Sequence, residues 1–157
     1  ATLARAAGIP TVVDVEKIRP RIEDLLVQID VIITARAFPE AYTGASGLGA
    51  ALAELAERFH PALVCTTLGR EGSLCRISGQ ELRTPGFEVP VVDSTGAGDV
   101  FRGGFIAGWL AAGADAPIER VLTYANAVAA LKCRALGART AIPSSTEVEN
   151  LLRETGR

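Results

Sequence analysis

An α/β fold of three layers, with helices on both faces of a mostly parallel sheet, is the class this sequence predicts. Two patterns point to it. Val31-Ile32-Ile33-Thr34 and the run from Ala62 to Thr66 are continuous apolar stretches, the kind of strand that is buried on both faces. Between them Leu48, Leu52, Leu55 and Phe59 recur at helical spacing, with Glu54, Glu57 and Arg58 on the opposite face. The length adds a bound: 157 residues suit one domain, or half of a larger one.

Composition excludes several classes of function. Hydrophobic residues make up 48% and charged residues 22%, so this is not a disordered tail. The net charge of −2 gives no electrostatic footprint for nucleic acid. One histidine and three cysteines argue against a structural zinc site and a disulfide framework, and suit a reducing compartment, so a cytoplasmic location is expected. No apolar run reaches the roughly 18 residues of a membrane span. Ala1 to Ala7 carries Arg5 and no long apolar core, so no secretory leader is expected at this end. Methionine is absent, which raises the expectation that the chain is a piece of a longer one.

The elements follow in order. Thr11 to Val15, bounded by Pro10, reads as a short buried strand. Ile22 to Gln28 is a short helix and Val31 to Thr34 the second strand. The amphipathic helix from Leu48 is stopped by His60 and Pro61, and Ala62 to Thr66 is the third strand. Ser73 to Ser78 and Glu81 to Pro85 flank Gly79-Gln80 as a hairpin. Val89 to Val92, broken by Pro90, reads as an edge strand. After a glycine turn, Val100, Phe101, Gly104, Phe105, Gly108 and Trp109 form one helical stripe. Its small residues, Gly103, Gly104, Ala107 and Gly108, allow close approach by a neighbour. Pro117 opens a helix running to about Arg134, and Thr146 to Glu154 is the last one.

The strongest chemical signal is Asp93-Ser94-Thr95-Gly96-Ala97-Gly98-Asp99. It lies between a strand-like run and a helix, and the N–H groups of Gly96, Ala97 and Gly98 are placed to point at one anion. The helix adds its positive end. Asp99 falls in the first helical turn beside that spot. A carboxylate next to an anion hole suits a base that takes the proton of an attacking hydroxyl during phosphoryl transfer. Spacing alone supports a helix-capping Asp equally well.

The run Asp93 to Ile106 resembles the C-terminal signature of the ribokinase-like, or PfkB, carbohydrate kinases. Thr66-Thr67-Leu68-Gly69-Arg70-Glu71-Gly72 resembles that family's strand-end segment beside ATP. Asn126 to Leu131 followed by Gly137-Ala138 resembles its helix and turn near the nucleotide. The resemblance covers nearly the whole chain, residues 1–157, but only the C-terminal half of such a kinase, without the N-terminal half and lid. It implies ATP-dependent phosphotransfer to a hydroxyl of a sugar or related small alcohol. Asp99 is then the catalytic base, and Gly96, Ala97 and Gly98 form the anion hole. Thr67, Gly69, Gly72 and Asn126 border the nucleotide. Asp93 and Thr95 help bind a monovalent cation such as K⁺ where family members use one, and Mg²⁺ arrives with ATP.

Departures bear on the same reading. The family often carries Asn-x-x-Glu after the second strand; Ala35 and Phe38 stand there in this chain. The missing half would supply the sugar-binding residues, so this chain alone is expected to bind nucleotide better than it turns over. A second reading is a non-catalytic nucleotide-binding or assembly module. A truncated sheet is expected to leave a sticky edge that self-associates. Gly44-Ala45-Ser46-Gly47-Leu48-Gly49 has the wrong order for a dinucleotide fingerprint and reads as a loop and helix start. Cys65, Cys75 and Cys133 are read as packing thiols. Arg102 could reach phosphate or solvent.

Overall fold

The computed structural model describes residues 1–113 and 116–157. The chain divides into two compact units, residues 1–68 with 74–83, and residues 69–73 with 84–157.

The first unit holds helices α1 (Thr2–Ala6), α2 (Ile22–Leu26), α3 (Phe38–Thr43) and α4 (Leu48–Phe59). The strands are β1 (Val12–Val15), β2 (Val31–Ala35), β3 (Leu63–Thr67), β4 (Ser73–Ile77) and β5 (Gln80–Thr84), ordered β1-β2-β3-β4-β5 in one sheet that belongs to this unit except for the end residues Ser73 and Thr84. β1, β2 and β3 run parallel, with Val12 opposite Val31 and Val31 opposite Leu63. The continuous apolar runs explain this: the first four residues of both β2 and β3 are buried, as strands covered on both faces must be. Ile32 and Val64 pack with Leu52, Leu55 and Phe59 of α4 and with Phe38 of α3 in one core. Removing a side chain such as Leu55, which has no exposed surface, costs about 2–5 kcal/mol.

Thr11 and Asp30 clamp the entry to the sheet. The Thr11 hydroxyl and N–H both donate to Asp30 Oδ2 at 2.8 Å, and Asp30 N–H donates back to the Thr11 hydroxyl oxygen at 3.0 Å. These bonds, the Thr11 side chain first, hold the Asp30 carboxyl below its ordinary range.

Two helices of this unit lie outside the sequence expectation, α1 and α3. α3 starts with Pro39 in its first turn and ends at Gly44 in the left-handed conformation. Phe38, which departs from the Asn-x-x-Glu pattern, is buried and stacks on Tyr42 with ring centroids 5.4 Å apart. The hairpin turn is Ser78-Gly79, one residue before the expected pair. Both have positive φ, 48° and 77°, as a two-residue hairpin turn requires.

The second unit holds a 3₁₀ turn (Gly69–Glu71) and helices α5 (Ala97–Ala112), α6 (Ile118–Lys132) and α7 (Ser145–Glu154). Phe87, Val100, Ala127, Val128, Leu131 and Val148 form its core. Of the small residues of α5, Gly104 and Gly108 admit a close neighbour as expected, while a Cβ on Gly103 would meet nothing within 4 Å. A Cβ on Gly104 would sit 2.9 Å from Val128 Cβ, and one on Gly108 would sit 3.2 Å from the Tyr124 ring. α7 begins with a reciprocal cap: Ser144 Oγ accepts from Glu147 N–H, while a Glu147 carboxylate oxygen accepts from Ser144 N–H at 2.9 Å.

Val89 to Val92 forms no strand, contrary to expectation. Pro90 has no N–H to give a ladder, and the next donors are used elsewhere: Val92 and Asp93 N–H both donate to the carbonyl of Cys133, at 2.8 and 3.1 Å. All three cysteines are free and buried. Burial pushes the Cys75 and Cys133 thiols up, which keeps them protonated and unreactive.

Candidate active site

The glycine turn is held in shape by Asp93. One carboxylate oxygen accepts from Thr95 N–H at 2.9 Å and the other from Gly137 N–H at 2.7 Å. Together with the Thr95 side chain, the foremost cause, and the attraction of Lys132, these bonds hold the Asp93 carboxyl down at about 2. Gly96 follows with a φ of 77° and caps α5. A Cβ there would lie 3.0 Å from the Cβ of Ala138, so both the dihedral and the space require glycine.

The three N–H groups expected to form an anion hole differ in what they meet. Ala97 N–H donates to Ser94 O at 3.0 Å, closing the turn on itself, so one of the three expected donors is spent. Gly98 and Asp99 N–H lie in the first turn of α5, where the helix itself offers no acceptor. A Cβ on Gly98 would meet nothing within 4 Å, which leaves space in front of that turn. The N–H groups at the start of a helix, with the helix dipole behind them, are the kind of donors that can hold an anion.

A cleft of about 580 Å³ opens beside this helix start. α5 contributes Gly96, Asp99, Gly103 and Ala107; α6 contributes Tyr124 and Val128; the segment after α6 contributes Ala138, Arg139, Ile142 and Pro143. A mainly apolar wall with one carboxylate and one guanidinium suits a flat heteroaromatic ring with charged groups at one end. Asp99 is 69% exposed and accepts from Arg102 at 2.5 Å, one turn along α5. Arg102 therefore meets the candidate base. An exposed pair of this kind is worth about 0–1 kcal/mol, so a hydroxyl that reaches Asp99 can replace it. Gly96 has no side chain to cap α5, and Asp99 turns to Arg102, so the capping reading of Asp99 finds no support in the hydrogen bonds at the helix start.

The residues expected around the nucleotide are placed differently from one another. Thr67 ends β3 in the first unit. Gly69 opens the 3₁₀ turn with a φ of 61° and open space at its Cβ position. Gly72 is a packing glycine: a Cβ would stand 2.1 Å from Thr84 O. Asn126 is 5% exposed, and its amide donates to Ser73 Oγ at 3.1 Å and Thr84 O at 3.3 Å. It braces the 73 and 84 segments, while Tyr124 and Val128, on another face of α6, line the cleft. Tyr124, Arg139, Ile142 and Pro143 are the cleft residues that sequence reasoning missed. The hint available was that Arg139, Ile142 and Pro143 follow the Gly137-Ala138 turn and that Tyr124 lies two residues before Asn126. Among the described residues no group of three or more His, Cys, Asp or Glu is placed to hold a metal ion.

The chain is similar to known proteins over most of its length. Residues 1–145 match the pfkB family carbohydrate kinases. A 2-dehydro-3-deoxygalactonokinase of Haloferax volcanii is 36% identical over 136 residues, covering 86% of this chain and 42% of that protein. The structure of Arabidopsis thaliana ribokinase complexed with ribose and ATP superposes with a TM-score of 0.84 at 26% identity, covering 97% of this chain and 50% of that one. A Vibrio cholerae fructokinase, a double mutant in a form with bound fructose, ADP and potassium ion, gives a TM-score of 0.75 at 27% identity over 83% of this chain and 43% of its own. The chain belongs to the pfkB family of carbohydrate kinases and has the ribokinase-like fold. It spans about half the length of the relatives it matches.

Proposed function

We propose that this chain is the base-and-phosphate half of an ATP-dependent kinase that phosphorylates a hydroxyl of a sugar or related small alcohol. One observation carries the reading: Asp99 and Gly96 line a single cleft at the start of α5, where unpaired N–H groups and the helix dipole meet a carboxylate. The N–H groups of Gly98 and Asp99 hold the moving phosphoryl group, and Asp99 takes the proton of the attacking hydroxyl. The base and ribose of ATP lie along Gly103, Ala107, Tyr124 and Val128, with Gly69 on a further loop of the same unit. Mg²⁺ rides on the phosphates. The cytoplasm, with its ATP and reducing poise, is the compartment that suits an enzyme with three free thiols.

A nucleotide-binding module without turnover is the second reading, favoured by Ala35 and the buried Phe38, which stand where the family often carries Asn-x-x-Glu. Both readings place nucleotide in the cleft, and calorimetry tests that. The chain should bind MgADP and MgATP weakly, and Gly103→Leu should abolish the heat while leaving the fold intact. Gly103 lines the cleft and a Cβ there meets nothing within 4 Å, so leucine fills the cleft and strains nothing. No heat from the unsubstituted chain, or equal heat from the variant, would overturn the assignment.

A further inference from the structure

Lys132 is the last residue of α6, and its side chain has no exposed surface. Lysine is almost never buried without a partner, because its long stem ordinarily lets the ammonium reach water. Here the ammonium donates to the main-chain carbonyl of Asp93 at 2.8 Å. The Asp93 carboxylate on the same residue supplies the opposing charge, and the attraction between the two is one reason that carboxyl is held low. The following residue, Cys133, binds the same strap through its carbonyl, which accepts Val92 and Asp93 N–H. Asp93 in turn fixes Thr95 and Gly137, on the two sides of the turn that Gly96 and Ala138 complete.

A bound monovalent cation needs several carbonyl or carboxylate oxygens that can replace its water shell. At Asp93 the oxygens are already engaged, and the Lys132 ammonium among them repels a second cation. The Asp93 carbonyl holds the Lys132 ammonium, and its two carboxylate oxygens hold the N–H groups of Thr95 and Gly137. We propose that Lys132 is a built-in cation: its ammonium does for the Asp93 strap what a bound monovalent ion would do, and the nucleotide cleft of this chain works without K⁺. Lys132 is thus a positioning residue, acting through Asp93 on the start of α5. The proposal rests on the nucleotide reading only for its functional readout.

The test compares salts at constant ionic strength, about 100 mM potassium chloride against about 100 mM tetramethylammonium chloride. MgADP affinity of the unsubstituted chain should agree within about twofold in the two salts, and a loss of about fivefold or more in tetramethylammonium would overturn the proposal. Thallium(I), a spectroscopic stand-in for K⁺, should show no saturable site on the chain; a saturable site emptied by K⁺ would overturn it. Lys132→Met keeps the length and removes the charge, and should weaken MgADP by about fivefold or more in tetramethylammonium; unchanged affinity would overturn the proposal. If that variant does not fold, the unsubstituted chain decides through the first two arms. If MgADP does not bind in either salt, the nucleotide reading fails while the thallium titration still decides the role of Lys132.

Discussion

Asp93 and Gly137, 44 residues apart in sequence, are joined by a 2.7 Å hydrogen bond from the Gly137 N–H to the Asp93 carboxylate. That bond ties the glycine turn before α5 to the segment after α6, the two stretches that close one end of the cleft. Since the carboxyl is held at about 2, below the ordinary 3.8, folding favours its ionised form. The sign follows: the stability it contributes is complete above about pH 4 and is lost as pH falls toward about 2. Asp93→Asn should lower stability at neutral pH and flatten the acid limb. Urea unfolding followed by Trp109, the single tryptophan, at a series of pH values checks this. Parallel pH curves for variant and parent would contradict it.

Adjacent glycines on α5 should respond with opposite sign. A Cβ on Gly103 meets nothing within 4 Å, so Gly103→Ala should stabilise the chain by about 0.5–1 kcal/mol through helix propensity. A Cβ on Gly104 lies 2.9 Å from Val128 Cβ and 3.2 Å from Ala125 Cα, so Gly104→Ala should destabilise it by about 1–3 kcal/mol. Denaturant midpoints measure both; changes of the same sign would show that the packing of α5 on α6 is misjudged.

The edge of the sheet offers a further test. β1 pairs with β2 on one side and ends the strand order on the other. Leu3, Ile9 and Ile18, around this strand in sequence, are 88%, 57% and 53% exposed. We expect two copies of the chain to associate through this edge. Sedimentation velocity at tens of micromolar should show a concentration-dependent dimer; a single monomer boundary throughout would count against it.

Local patterns were readable in the sequence where one segment decides its own fate. The apolar runs of β2 and β3, the stripe of α4 and the turn at Gly96 needed no partner to be recognised. The signals of α3, Pro39 and Gly44, and of the start of α7, Ser144 and Glu147, are local too, yet α3 lay outside the expectation and α7 was expected from Thr146. Meeting points of distant segments were not readable. Asn126 looked like a nucleotide contact because its neighbours resemble the family helix, yet its amide is spent on Ser73 and Thr84. A two-residue step along α6 separates that buried face from Tyr124 and Val128 on the cleft. Lys132 gave no hint of burial, since its partner lies 39 residues away. Val89 to Val92 misled because its donors serve Cys133 rather than a ladder.

The central claim is that Asp99 accepts the proton of the attacking hydroxyl. The direct measurement is kcat for Asp99→Asn in a kinase of full family length that carries these 157 residues. Asn preserves the size at the start of α5 and cannot accept that proton at neutral pH. The account predicts a fall of about 10²–10⁴ in kcat with MgADP affinity within about threefold of the parent. A kcat within about threefold of the parent would contradict it and leave Asp99 as no more than the partner of Arg102.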